Sequence, residues 1–102
     1  MYNVIMKKII FEWDEAKSIV NIKKHKISFE EAKTVFYDDN ALLISDLEHS
    51  VSEERFIILG HSFSLKLLVV CHCYRKNNNT IRIISARKAT RNESLQYAEV
   101  LK

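Results

Sequence analysis

The stretch that decides the fold runs from Ile81 to Glu93 and has the sequence IRIISARKATRNE. Its first half is rich in isoleucine, which favours a buried β-strand. Thr90 followed three residues later by Glu93 is the pattern of a capping box, so a helix is predicted to begin there. The stretch therefore predicts a strand that passes directly into the last helix of the chain.

Basic side chains are concentrated where this strand meets the helix, with no acid before Glu93. Alternation predicts that Arg82 faces away from the neighbouring isoleucines and that Arg87 lies on the isoleucine face. Lys88 and Arg91 flank the helix N-terminus, where the helix dipole disfavours cations. A bound phosphate would relieve this conflict, because it accepts hydrogen bonds from backbone N–H groups and from guanidinium groups. A solvated run of charge is the alternative.

The remaining elements follow from similar signals. An apolar, β-branched start predicts a first strand, and Asp14 is placed to cap a helix that ends near His25. Ser28 and Glu31 form a second capping-box pattern at the start of another helix. Four further strands are predicted in ALLISD, RFIILGHS, KLLVVCHCYR and TIRIISAR. Short links between these strands predict hairpins, so we expect one compact α+β domain over residues 1–102 with an antiparallel sheet.

Helical spacing predicts which side chains face the core. The first helix is predicted to bury Ala16, Ile19, Val20 and Lys23; the second, Phe29, Ala32, Val35 and Phe36; and the last, Leu95, Ala98 and Leu101.

Composition favours a cytoplasmic protein. The 102 residues carry 16 Lys and Arg against 13 Asp and Glu, a mild excess of +3. No apolar run approaches the roughly 18 residues that span a bilayer, and the start lacks the pattern of a secretory signal. Cys71 and Cys73 alternate onto one face of a strand, which is poor geometry for a disulfide, so we expect buried, reduced thiols.

Two further stretches carry candidate functional groups. In NIKKHK, the spacing predicts that His25 is exposed beside Lys24, although cations at a helix end also simply favour the dipole. In SEERF, Glu54 is a candidate proton acceptor and Arg55 a candidate phosphate ligand on the face of the following apolar residues. A local ion pair at the start of a strand is the alternative.

Other signals are weaker. Trp13 could stack on a nucleobase, but a lone Trp more often belongs to the core. The remaining histidines have no zinc-like spacing, and the chain has no glycine-rich phosphate loop. The residues alone therefore indicate a small α+β domain with a basic, phosphate-binding face, and they do not decide between binding RNA and cutting it.

Several motifs together resemble the BrnT family of bacterial toxins, from about Phe11 to Tyr97. They are FEWDEAK, NIKKHKISFEEAKTVFYDD, EERFIILG, LLVV and IRIISARKATRNE. The resemblance implies a RelE-like ribonuclease toxin that inhibits translation by cutting RNA. It also implies a BrnA-type antitoxin as partner, through which the complex binds operator DNA.

The family motifs carry over residue by residue. KKH gives Lys24 and His25; EERF gives Glu54 and Arg55; RIISARKAT gives Arg82, Arg87 and Lys88. One departure is Lys26, where the family usually has glycine. Lysine in the left-handed conformation that such a helix end uses costs on the order of 1 kcal/mol, so a different end of the first helix is expected. The hairpin GHSFSLKLLVV also lacks the glycine often found in its turn.

The leading hypothesis is a metal-independent endoribonuclease without a cofactor, since RNA supplies its own 2′-hydroxyl nucleophile. Arg55 and Arg87 would bind the phosphate, Lys24 would add positive charge, and His25 and Glu54 are the candidates for proton transfer. The candidates for RNA binding are Trp13, Arg82, Lys88 and Arg91. A non-catalytic module that binds RNA or a partner, and a purely structural subunit, are the alternatives.

Overall fold

The computed structural model describes residues 9–46, 53–75 and 79–101. Two of the short links between predicted strands, LEHSVSEE and KNNN, lie mostly outside these residues. The elements are β1 (Ile10–Glu12), α1 (Glu15–His25), α2 (Phe29–Ala32), a 3₁₀ helix (Lys33–Tyr37), β2 (Leu42–Ser45), β3 (Phe56–His61), β4 (Leu67–Arg75), β5 (Thr80–Lys88) and α3 (Arg91–Val100). Within the described ranges, none of the helices has the length and apolar character needed to cross a membrane.

The strands form one sheet in the order β1-β5-β4-β3-β2. The pairs β2–β3, β3–β4 and β4–β5 are antiparallel, as the short links predict. β1 instead runs parallel to β5, because the three helical elements between β1 and β2 allow the chain to cross before it returns to the sheet. The predicted α+β class is confirmed, with a mixed sheet in place of a wholly antiparallel one.

A β-bulge divides β5 into two halves, and the alternation of side chains between the two faces of the sheet is reversed from one half to the other. His72 of β4 lies opposite Ile83, whereas the preceding residue, Cys71, lies opposite Ser85. One residue of β5 is therefore extra, and the alternation of side chains reverses after it. Ile83 and Ala86 are both buried on one face, and Arg87 lies on the other. The prediction that Arg87 shares the isoleucine face was wrong because no sequence signal marked the bulge.

The sheet has two unlike faces. The covered face carries the main core and packs against α2 and the 3₁₀ helix, with Phe29, Ala32 and Val35 buried as predicted. The open face carries Leu59 and Val69, and α3 packs over them through Tyr97. The predicted inward face of α3 was wrong: Leu95 is 56% and Leu101 54% exposed. Tyr97 faces the sheet instead, where its hydroxyl finds polar partners.

Helix α1 also turns an unexpected side toward the sheet. Its buried residues are Ser18 and Asn21, whereas Ile19 is 51% and Val20 61% exposed. The predicted apolar stripe was therefore wrong. β1 pairs with β5 only as far as Arg82, so the edge of β5 beyond it offers backbone groups that need polar partners. The polar side of α1 supplies such partners.

The capping patterns differ in how completely they form. Asp14 accepts a hydrogen bond from the Lys17 N–H, and Thr90 and Glu93 complete a full capping box at α3. The Ser28 hydroxyl accepts a hydrogen bond from the Glu31 N–H, but the Glu31 carboxylate does not accept one from the Ser28 N–H. That carboxylate accepts hydrogen bonds from Ser62, at 2.7 Å, and from Ser64. The second box is therefore half-formed, because its acid ties α2 to the β3–β4 hairpin.

Lys26 adopts the conformation that glycine takes in the family pattern. Its φ and ψ are 63° and 23°, in the left-handed region, and its N–H donates to the Ile22 carbonyl at 2.9 Å. Leu65 in the β3–β4 turn also has a positive φ, of 64°. The expectation that the first helix ends differently was wrong. The helix ends as it would with glycine, and Lys26 takes the strained left-handed conformation.

We expect Lys26→Gly to stabilise the protein by about 0.5–1 kcal/mol, because glycine adopts this conformation without the Cβ penalty. Urea denaturation would measure the change. Lys23→Gly, inside α1, is the matched control and should destabilise by about 1 kcal/mol. Equal effects of the two substitutions would contradict the conformational explanation.

His72 is fully buried in the core of the covered face. Its Nδ1 lies 3.1 Å from the Val70 carbonyl, which can only accept, so Nδ1 carries the proton. Nε2 has no hydrogen-bond partner in the described part of the chain, and Phe36 packs edge-on at 4.7 Å between centroids. Burial lowers the pKa of His72 below its ordinary value, so the folded protein holds this side chain neutral.

The free energy of unfolding should therefore fall as the pH drops below about 6.5. In that range His72 is protonated in the unfolded chain and stays neutral in the folded protein. The slope from one such group is at most about 1.4 kcal/mol per pH unit. Denaturation of wild type and His72→Leu between pH 7 and 5 would measure it, with the other histidines common to both proteins. Identical slopes would contradict the assignment.

Candidate active site on the open face of the sheet

A groove crosses the open face beside α1 and in front of the N-terminus of α3. It consists of two adjoining hollows of about 330 and 210 Å³ that share Ile84 and Ser85. The first is lined by Ala16, Lys17, Val20, Asn21, Lys24 and His25, and the second by Asp46, Arg55, Ile57, Val69, Cys71 and Arg87. We call the two hollows together the open-face groove. It brings together four of the predicted catalytic residues: Lys24, His25, Arg55 and Arg87.

Arg87 is held by an acid that the sequence places six residues later. Its Nη1 and Nη2 donate to the two carboxylate oxygens of Glu93 at 2.8 and 2.9 Å. The hydrogen bonds from Arg87 are the main cause that lowers the pKa of the Glu93 carboxyl to about 2. The positive charge of Arg87 at the strand end is therefore paired with an acid. The bulge in β5 is what turns Arg87 toward this partner.

Arg55 borders the same hollow from the start of β3. It is half-buried, and Ile57 and Leu59 share its face as the alternation predicts. Its carbonyl accepts a hydrogen bond of 2.8 Å from the Asp46 N–H, which fixes the backbone between β2 and β3. The second hollow is therefore bordered by two arginines, Arg55 just before β3 and Arg87 in β5.

Helix α1 brings Lys24 and His25 to the other hollow. Lys24 is exposed, and His25 is half-buried rather than exposed as predicted. The prediction for His25 failed because it assumed that the apolar side of α1 faces the sheet. His25 follows Ser18 and Asn21 at helical spacing, so it shares the side that packs inward.

Asn21 fastens α1 to the edge of β5. Its amide donates to the carbonyls of Ile27 and Ala86, both at 2.9 Å, and accepts from the Ala86 N–H at 3.1 Å. One side chain thus satisfies both backbone groups of Ala86, as a neighbouring strand would. The sequence analysis missed this residue. The available signal was an asparagine in mid-helix, where its propensity is poor.

Other predicted site residues lie elsewhere. Glu54 borders a separate hollow of about 480 Å³ with Phe56 and Tyr74, side chains of the covered face. Trp13 is half-buried and packs edge-on against Phe29 at 6.0 Å between centroids, at the edge of the main core. Its assignment to RNA binding stays a prediction.

The remaining basic candidates are also outside the groove. Arg82 donates to the Glu12 carboxylate at 2.9 Å, and Arg75 lies 3.5 Å from the same oxygen. Arg82 is thus part of an ion-pair cluster beside β1. Lys88 and Arg91 are exposed at the end of β5 and the start of α3. Among the described residues, no three His, Cys, Asp or Glu side chains come together in a way that could hold a metal ion.

A polar cluster missed by the sequence analysis anchors α3. The Tyr97 hydroxyl donates to Asp38 at 2.6 Å, and the same carboxylate oxygen accepts from the His61 N–H at 2.8 Å. The His61 ring nitrogen Nδ1 lies 3.2 Å from the Tyr97 hydroxyl oxygen. Burial, together with the bond to Asp38, raises the pKa of Tyr97 to about 12. Tyr97 therefore stays a hydrogen-bond donor and holds α3 against β3.

The fold and groove define a class of protein: a small mixed sheet with one helix-covered face and one open face whose groove is rich in arginine and lysine. Residues 13–93 match the family described as ribonuclease toxin, BrnT, of type II toxin–antitoxin system. The chain therefore belongs to the BrnT family. No curated protein sequence matched it.

A solved structure agrees with this assignment. The 1.1 Å crystal structure of the Brucella abortus ribonuclease toxin BrnT aligns with a TM-score of 0.63 and 21% identity. The alignment covers 82% of this chain and all of that one. At this identity the likeness shows that the two proteins share a fold.

Asn21→Ala should destabilise the protein by about 2–4 kcal/mol, because it leaves buried backbone groups of Ala86 and Ile27 without partners. Chemical denaturation would measure the loss. Ser18→Ala is the matched control: Ser18 is buried on the same side of α1, and its substitution should change stability by less than about 1 kcal/mol. A loss for Asn21→Ala no larger than that of the control would show that the amide does not hold α1.

Proposed function

We propose that the chain is the toxin of a type II toxin–antitoxin system and acts as an endoribonuclease that cuts RNA without a metal ion and so inhibits translation. The observation that carries this proposal is the open-face groove, where Arg55 and Arg87 border one hollow and His25 borders the next. The family description as a ribonuclease toxin supports the same activity.

The chemistry would use the nucleophile that RNA contains. Attack of the 2′-hydroxyl on the adjacent phosphorus breaks the bond to the 5′-oxygen and leaves a 2′,3′-cyclic phosphate. The protein must accept the 2′ proton, protonate the leaving oxygen and stabilise the charged intermediate. We assign the phosphate to Arg55 and Arg87, with Lys24 as an additional cation.

We assign one proton transfer to His25, because an imidazole can both accept and donate a proton. Glu54 was the other candidate from the sequence. It borders the hollow beside Phe56 and Tyr74 and not the open-face groove, so the geometry favours His25.

The proposal includes a partner. We propose that a BrnA-type antitoxin neutralises the chain in the cytoplasm and that the complex binds operator DNA through the antitoxin. The groove suits an acidic segment, because Lys17, Lys24 and Arg55 border it. Covering the groove would exclude RNA from the same side chains.

A non-catalytic RNA-binding module is the second candidate. It is favoured by one observation, the separation of Glu54 from the groove, which leaves no acid among the described residues that line the hollow of His25; Asp46 lines the other hollow. Salt-sensitive RNA binding without any cleavage would distinguish this candidate.

RNA cleavage by the purified protein in EDTA tests the proposal. We expect cleavage that leaves 2′,3′-cyclic phosphate ends. Arg87→Ala should lower the rate by about 10²–10³-fold through lost charge stabilisation, and His25→Ala by about 10²–10⁴-fold through lost proton transfer. Arg82→Ala is the matched control, because this arginine pairs with Glu12 outside the groove, and it should retain activity within about threefold.

A strict requirement for a divalent metal would contradict the mechanism. Cleavage unaffected by Arg87→Ala would contradict the site. If folded wild type leaves free RNA intact, the assay is repeated with ribosomes, and binding without cleavage in both conditions would establish the second candidate.

A further inference from the structure

The guanidinium of Arg87 is only partly used by its protein partners. Arginine has five N–H donors in a fixed plane. Nη1 donates to Glu93 and also to the Lys88 carbonyl at 3.2 Å, which uses both of its hydrogens. Nη2 donates one hydrogen to the second oxygen of Glu93. Three donors are therefore occupied.

The two donors that remain form one edge of the guanidinium. They are the Nε–H and the second hydrogen of Nη2, and no acceptor in the described part of the chain takes them. The two N–H bonds of this edge are nearly parallel, as a bidentate contact with two phosphate oxygens requires. Pairing with Glu93 thus leaves intact the edge that can bind a phosphate.

Glu93 is itself held in place by the first turn of α3. Its Oε1 accepts from the Thr90 N–H at 2.8 Å, and the Thr90 hydroxyl accepts from the Glu93 N–H at 3.2 Å. Both carboxylate oxygens are thus engaged by Arg87 while the capping box restrains the side chain. The helix start therefore sets the plane in which the Arg87 guanidinium lies.

We propose that Glu93 is the positioning residue of the active site: it holds Arg87 so that the free edge of the guanidinium faces the scissile phosphate in the open-face groove. The inference rests on the proposed function. It assigns Glu93 a role in which it contacts no RNA and acts only through Arg87.

A role of Glu93 in neutralising Arg87, in place of positioning it, would predict the opposite effect of removing Glu93. If Glu93 only neutralised Arg87, its removal would expose a positive charge beside the groove, tighten RNA binding and leave the chemical step unimpaired. If it positions Arg87, its removal frees the side chain and misplaces a cation that must meet the transition state. Misplacement of about 1 Å can cost on the order of 10²-fold in rate.

The test compares Glu93→Gln with Thr90→Ala. Glutamine keeps one acceptor oxygen for the cap but puts an NH₂ group opposite Nη2, whereas Thr90→Ala removes the cap hydroxyl and keeps the bidentate pair. We expect Glu93→Gln to lower kcat about 10- to 100-fold with KM within about threefold, and Thr90→Ala to leave both within about threefold. Glu93→Gln combined with Arg87→Ala should be no slower than Arg87→Ala alone.

Two outcomes would overturn the inference. Wild-type kcat with tighter RNA binding in Glu93→Gln would make Glu93 a neutralising group. Equal losses in Glu93→Gln and Thr90→Ala would reduce its role to capping α3. Equal activity of wild type and Arg87→Ala would instead refute the proposed active site, and no cleavage by folded wild type would refute the proposed ribonuclease activity.

A measurement independent of cleavage separates these cases further. We expect the ¹⁵N NMR signal of the Arg87 Nε–H to shift when an RNA with 2′-deoxy substitutions binds to wild type, and to shift less than half as far with Glu93→Gln. An unchanged Arg87 signal in wild type, at RNA concentrations that saturate binding, would overturn the inference whether or not RNA is cut.

Discussion

The arrangement of the open face depends on how the unpaired half of β5 satisfies its backbone. β1 pairs with β5 through Arg82 and no further, so the following residues have a strand neighbour on one side only. Asn21 supplies both missing hydrogen bonds of Ala86. Leaving both buried backbone groups of Ala86 without partners would cost about 2–6 kcal/mol, against about 1.5–3 kcal/mol that α1 would gain by burying one more aliphatic side chain at that position. The polar side of α1 therefore faces the sheet, and Lys24 and His25 are carried to the groove.

The bulge in β5 acts on the same short segment. Without the extra residue, Arg87 would point into the covered face, where it would meet the apolar core formed by Ile83 and its neighbours. The bulge puts Ala86 into that core and Arg87 into the groove. Bulges are a common way to redirect a side chain next to a functional site. Both features therefore belong to one strand: β5 is an inner strand in its first half and an edge strand in its second half. Asn21 completes the backbone hydrogen bonds of that edge, and the bulge redirects the side chains.

The sequence predicted the elements well and their faces less well. Hydrophobic runs and capping residues located the described α-helices and strands, because Asp14, Ser28 and Thr90 act within a few residues of themselves; the predicted second helix continues as a 3₁₀ helix after Ala32. The faces of α1 and α3 were missed because they are set by tertiary partners: the edge of β5 for Asn21, and Asp38 for Tyr97. Alternation along β5 failed for a related reason, since a bulge leaves no mark in residue types.

The candidate site was predictable to the extent that it followed from motifs. The motifs selected Lys24, His25, Arg55 and Arg87, and the fold brings all four to one groove. They could not separate Arg82 from Arg87, since both are arginines on a basic strand. The difference lies in their partners: Arg82 shares the Glu12 carboxylate with Arg75 in an ion-pair cluster, whereas Arg87 is held on a helix cap with one edge free.

The contrast between these two arginines shows why net charge says little about such a site. A formal charge of +3 over 102 residues gives no strong attraction for a polyanion. Affinity for phosphate depends on which donors remain once internal pairs have formed, and on how rigidly they are held. A guanidinium that is bound on one edge by a fixed carboxylate loses less conformational entropy on meeting a phosphate than a free arginine side chain does. The acid beside Arg87 therefore lowers the net charge of the groove while it improves the arginine as a directed ligand, and the second effect is the one that the proposed catalysis would need.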